Sequence, residues 1–168
     1  MSDGTYETET GPSGLVFRIA EAWALLGGVV LLGVVLMHTW SVIGNNWGSP
    51  FPGDFELTEM GVAITAFAFL PYCQISGANV TADIFTSGLS QRWIAFFALV
   101  SSVIAILFSS LLLWRMYAGM MDTRTYEYET AVLQLPNWWA WPPILLSLAL
   151  LAVTSLTTLI QASKSIRS

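Results

Sequence analysis

Between Ala22 and Met37 no side chain is charged or strongly polar, and comparable apolar runs recur three more times along the 168-residue chain. About 20 apolar residues suffice to cross the roughly 30 Å hydrocarbon core of a bilayer as a helix. Lipid offers the backbone no hydrogen-bond partners, so such a run must satisfy its own amides and carbonyls, which a helix does. The alternative, a soluble core, fails on composition. Charged residues make up 10% of the chain, against about 25% in a soluble domain, and the mean hydropathy is +0.64. Eight tryptophans, many near the ends of the apolar runs, fit the aromatic belt of a membrane interface. The chain therefore reads as an all-α integral membrane protein with four transmembrane helices.

Residues 1–14 are polar and acidic and read as a disordered segment. They lack the basic start and small-residue cleavage site of a signal peptide, so the first apolar run is expected to be retained. A single four-helix membrane domain is expected over residues 15–162, followed by a basic tail at 163–168. Its spans fall at about 15–43, 55–75, 93–114 (with a possible continuation to Met121) and from an NWWAWPP entry at 137–143 to Ile160. The NNWGSPFPGD stretch before the second span is rich in Asn, Gly and Pro and reads as a loop. Pro71 removes one backbone donor inside the second span and predicts a kink. Between spans two and three, Val80, Ile84, Phe85 and Leu89 fall on one helical face, which predicts a short helix lying in the interface. Arg18, Arg92, Lys164 and Arg167 on the side of the termini outnumber Arg115 and Arg124 on the other, which predicts cytoplasmic termini.

The net charge of -5 disfavours a nucleic-acid partner, which needs clustered Lys and Arg. Cys73 is the only cysteine, so one chain holds no disulfide and no multi-cysteine metal site. His38 is the only histidine; bis-histidine haem ligation within one chain is excluded, and a helix-packing or interfacial contact is the plain reading. No phosphate loop, HExxH or GxSxG motif occurs. No catalytic residue, substrate-binding residue, metal ligand or cofactor is expected.

Ionisable residues near spans carry more weight, because a charge in lipid is costly unless it is paired or faces protein. Arg18 and Glu21 are three apart, a spacing that lets them pair on one helix. Glu56 and Glu59 open span two, and Arg115 lies at a similar depth near the end of span three, so an ion pair of Arg115 with either acid is expected to brace these spans. The small pairs Ala24/Gly28 and Ala98/Ser102 allow close helix approach.

An acid at the mouth of span two (Glu56), a Val-x-x-Asp step (Val80, Asp83) and a later Leu-x-x-Pro-x-Trp pattern (Leu133, Pro136, Trp138) occur in that order across the four spans. With these motifs the chain resembles the small, DctQ-like membrane subunit of the tripartite ATP-independent periplasmic (TRAP) transporters. It departs from the family before the Val-x-x-Asp step, where Ile75, Ser76, Gly77, Ala78 and Asn79 replace the common basic residues and Gly-Gly-His. The resemblance implies a small permease subunit of a bacterial or archaeal inner (plasma) membrane. Such a subunit braces the scaffold of a large multi-span partner during sodium-driven, binding-protein-dependent uptake of a small organic solute. Sodium is then expected on the large subunit and not on this chain. The partners implied are that large subunit, a periplasmic substrate-binding protein and membrane lipids, with Asp54, Asp122, Glu127 and Glu129 as possible contacts to the binding protein.

The residues alone leave two other classes open: a proton-coupled exporter with Glu21 as its coupling carboxylate, and a membrane anchor for another complex. The substrate is not written in this chain. A carboxylate is typical of the family, while an acidic exterior read as salt adaptation would suit a zwitterionic osmolyte such as ectoine.

Overall fold

The computed structural model describes residues 12–48, 51–77 and 91–167. Among the described residues there are four α-helices: α1 (Pro12–Asn46), α2 (Asp54–Ile75), α3 (Gln91–Thr125) and α4 (Trp141–Arg167), with a short 3-10 turn (Asn137–Ala140) leading into α4. Three segments among the described residues are long and apolar enough to cross a membrane: Gly14–Asn46, Leu99–Thr125 and Asn137–Gln161. The helix α2 falls outside that class. Its first turn carries Asp54 and Glu56, and Glu59, Tyr72 and Gln74 dilute the apolar run behind them.

Several boundaries differ from those expected. The first helix already includes Pro12–Gly14, α3 continues through Asp122 and Arg124, and α4 runs to Arg167 through most of the expected tail. A helix satisfies its own hydrogen bonds on either side of an interface, so loss of hydrophobicity alone does not end it. What ends α2 is local: the Ser76 amide and hydroxyl both donate to the Tyr72 carbonyl (2.9 and 2.7 Å), and Gly77 follows with φ +68, a conformation suited to glycine after a helix. Pro71 does not interrupt α2, which continues through it to Ile75. The expected interfacial helix, with Val80 and Asp83, lies outside the described residues.

Helix α4 packs most extensively on α3 and then on α2, α2 packs on α1, and α1 also touches α4. The core is the stripe Ile144, Leu148, Leu151 of α4, against which Ala63, Ile64 and Phe67 of α2 and Leu112, Leu113 and Met116 of α3 pack. The three stripe residues recur at intervals of four and three, one face of a helix. Small residues set the α1–α2 contact: a Cβ on Gly27 would come within 2.7 Å of the Ala68 Cβ, and one on Gly61 within 2.5 Å of Val34 Cγ2. Close approach on α1 thus uses Ala20, Ala24 and Gly27, whereas Gly28 has nothing within 4 Å. Polar side chains fasten this apolar array. Thr65 donates to the Gly27 carbonyl (3.2 Å), the Trp23 indole N–H donates to Ser147 Oγ (2.8 Å), and Ser147 passes its own proton to the Pro143 carbonyl (2.8 Å). Between transmembrane helices such bonds contribute about 0.6 kcal/mol on average.

Candidate functional site

Polar structure concentrates where the α1–α2 turn meets the α3–α4 loop, here called the hairpin end. The chain leaves α1 through a turn closed by Trp47 N–H to the Gly44 carbonyl (3.0 Å) and enters α2 at Gly53, whose φ of 74 is left-handed. No side chain caps α2. Asp54 instead turns outward: its Oδ2 accepts the Ser41 hydroxyl (2.7 Å) and its Oδ1 the Phe55 amide (2.8 Å), tying the end of α1 to the start of α2. Thr58 Oγ1 lies 2.6 Å from both the Asp54 carbonyl and His38 Nε2. A hydroxyl has one proton; when Thr58 gives it to the carbonyl, His38 Nε2 is the donor to Thr58. His38 is therefore a joint between α1 and α2.

Glu56 makes the longest-range connection. Its Oε1 accepts the Val132 amide (2.6 Å) and its Oε2 the Leu133 amide (3.0 Å), 76 and 77 residues away in sequence. Consecutive amides directed at one anion form a nest, in which the carboxylate supplies the charge that a bound phosphate would supply elsewhere. The loop is shaped to present them. Thr130 N–H donates to the Leu135 carbonyl (3.0 Å), Leu135 N–H returns to Thr130 Oγ1 (3.0 Å), Gln134 N–H reaches the Thr130 carbonyl (3.2 Å), and Asn137 N–H reaches the Tyr128 carbonyl (2.9 Å). Glu127 and Gln134 both take left-handed backbone (φ 49 and 52), which costs a non-glycine residue energy and persists where surrounding bonds impose it. Leu133, held by Glu56, packs directly over Gly53, where any Cβ would collide with its side chain.

Both acids stand in the first turn of α2, ahead of the apolar run that begins at Met60. Burial alone raises the Glu56 carboxyl pKa, but the amides of Val132, Leu133 and Ala131 and the Thr130 hydroxyl together outweigh it, leaving the group below the ordinary carboxylate value. For Asp54 the Ser41 hydroxyl leads; burial opposes it, and the Phe55 amide, the charge of His38 and its own amide add to the lowering.

Two of the motifs on which the resemblance rests, the Glu56 mouth and the Leu-x-x-Pro-x-Trp pattern, meet in space, while the Val80–Asp83 step lies outside the described residues. Glu56 from the mouth of α2 holds Leu133 of the Leu-x-x-Pro-x-Trp pattern, Pro136 pairs with Glu129 in an isolated antiparallel bridge, and the Trp138 ring lies 5.6 Å from the Arg124 guanidinium. The expected ion pairs take another form. Both Glu56 oxygens are occupied by loop amides, so its brace runs to the α3–α4 loop and not to Arg115. Arg18, Glu21, Glu59 and Arg115 are exposed, and none bonds to another described residue. Of the four acids expected to meet a binding protein, Asp54 is engaged within the fold, while Asp122, Glu127 and Glu129 are exposed at the hairpin end. Sequence reasoning missed the Ser41–Asp54 and Trp23–Ser147 contacts, since serine at such positions carries no distinguishing pattern. It also missed Gly53 under Leu133, although a glycine directly before an acidic helix start was a usable signal.

Beneath the loop, in the cleft between α2 and α3 over the start of α4, lies a half-open cavity of about 460 Å³. No group of three or more His, Cys, Asp or Glu side chains suited to a metal ion occurs among the described residues.

Long apolar helices, joined at one end by a hydrogen-bonded polar cap, define a polytopic helical membrane protein. The family model for the DctQ component of tripartite ATP-independent periplasmic transporters matches residues 34–165, well over half of the chain. The chain belongs to that family, which comprises transporter components and not enzymes. No curated protein and no solved structure matches it.

Proposed function

We propose that this chain is the small permease subunit that braces the scaffold of a large TRAP membrane subunit. The observation that carries this reading is the breadth of apolar surface left open on α1 and α3. Leu25, Leu32, Leu36 and Trp40 on α1, and Ile104, Leu107, Phe108 and Leu111 on α3, are all exposed. These faces give lateral contact area to lipid and to a neighbouring protein, which is what a brace needs. The helix α2 serves as a fourth crossing. Its 22 residues measure about 33 Å, the first turn with Asp54 and Glu56 standing at the interface, and the packed helix buries Thr65 and Gln74. The protein is then a multi-pass component of the inner membrane with both termini in the cytoplasm. The hairpin end faces the periplasm, within reach of a substrate-binding protein. Uptake of a small organic solute is driven by a sodium gradient, and sodium and solute bind the large subunit.

Co-purification with the neighbouring large subunit tests the reading. A stable complex supports it, and recovery with a non-transport partner overturns it. Substitutions such as Leu107→Arg on the open face of α3 should reduce recovery of the complex while leaving the isolated chain helical.

A further inference from the structure

The half-open cavity at the hairpin end combines features that the brace reading does not use. Glu59 lines it with a carboxylate that bonds to no other described residue. Phe55, Met60 and Met116 supply apolar wall, and Asn137 adds an amide. Trp141 also lines it. Its ring is fixed by lying on Gly119, where an added Cβ would sit 2.8 Å from the indole Cη2. The Thr130–Ala131 corner of the loop, whose neighbouring amides Glu56 holds, also borders the space.

A carboxylate with no partner among the described residues, lining one cavity with an indole and an amide, suits an organic cation: an aromatic ring attracts positive charge, and carboxylate and amide oxygens accept hydrogen bonds from it. A primary ammonium uses both acceptors; a quaternary one has no proton to give. The cavity lies at the start of α4, among Trp138, Trp139 and Trp141, where an aromatic belt meets lipid headgroups. We infer that this cavity is a site for a primary alkylammonium, filled in the membrane by the ethanolammonium headgroup of an aminophospholipid. The site belongs to this chain and does not depend on the brace reading.

The test uses the full-length chain, purified in mild detergent and reconstituted into nanodiscs made with equal parts of phosphatidylethanolamine, phosphatidylcholine and phosphatidylglycerol. Retained lipid is counted by native mass spectrometry after detergent exchange. Losing a charge-assisted contact should lower ethanolamine-lipid retention about tenfold in Glu59→Gln, and Trp141→Leu should lower it as well. Glu21→Gln, which removes an exposed acid outside the cavity, should leave retention unchanged. Circular dichroism melting of each variant separates loss of the site from loss of the fold. In a second arm, soluble glycerophosphoethanolamine is added at millimolar concentration; if a free amine is the true occupant, it displaces the lipid completely, and the lipid assignment is overturned. Equal retention of all three lipids, or wild-type retention in Glu59→Gln, also overturns the proposal. So does a Glu59→Gln variant that loses its protein partner but keeps its lipid, since Glu59 would then pair with a cation of that partner.

Discussion

Replacing Gly53 by alanine should loosen the hairpin end through two separable effects. The first is backbone: at φ 74 a residue with a Cβ is strained by about 1–2 kcal/mol. The second is packing: the new Cβ is driven into Leu133, and overpacking of this kind costs about 1–3 kcal/mol. Together they predict a loss of about 2–5 kcal/mol. Gly48 isolates the first effect, because it has nearly the same φ (+73) with nothing within 4 Å of an added Cβ; Gly48→Ala should cost about 1–2 kcal/mol only. Leu133→Ala opens the space, so Gly53→Ala should be less harmful in that background by about the packing share, 1–3 kcal/mol. The assay is equilibrium unfolding in mixed micelles, followed by tryptophan fluorescence, to which Trp138, Trp139 and Trp141 beside the loop contribute. Equal losses in Gly48→Ala and Gly53→Ala, or strict additivity of Gly53→Ala with Leu133→Ala, would refute the contact.

Further outcomes follow from the same geometry. Glu56→Ala should strip hydrogen-exchange protection from the Val132 and Leu133 amides while leaving α1 and α3 protected; unchanged protection rules out the clamp. Because the folded Glu56 carboxyl is held below its ordinary value of 4.5, its contribution is complete above about that pH and declines as pH falls through the lower folded value; protection of the two amides should fade over that acid window and stay flat at neutral pH. Trp23→Phe should cost about 0.6 kcal/mol, up to about 1.7, and nothing in a Ser147→Ala background, as measured by the same unfolding assay. Gly27→Val should push α1 away from Ala68 and lower stability by about 1–3 kcal/mol, whereas Gly28→Ala, with open space around it, should be neutral or slightly stabilising.

Much of the fold was legible because lipid imposes a simple rule. The apolar run from Ala22 to Met37 and the run ending near Ile160 can only be helices of spanning length, and they are. Helix α2 began within one residue of its expected start, since Pro and Gly before an acidic turn mark such a beginning. Helix ends facing water were not legible. Nothing in Asp122 or Arg124 stops α3, which continues until the loop's own hydrogen bonds take over. At the site, Glu56, Leu133, Pro136 and Trp138 were each visible as motif positions, but their union was not. Hydropathy reports how a residue relates to solvent, not which partner distant in sequence it meets, so Arg115 is offered to either Glu56 or Glu59, whereas the loop amides of Val132 and Leu133 hold Glu56. Opposite charges at equal depth are an attractive guess; a backbone nest leaves no trace in residue type.

The proposed role, steadying a large neighbour, rests on open apolar flanks and a cap built from distant motifs. Solute uptake into liposomes measures that most directly, with the chain reconstituted alone and then together with the large subunit and the substrate-binding protein under a sodium gradient. The account predicts uptake only when the large subunit is present. Saturable uptake by this chain alone would contradict it.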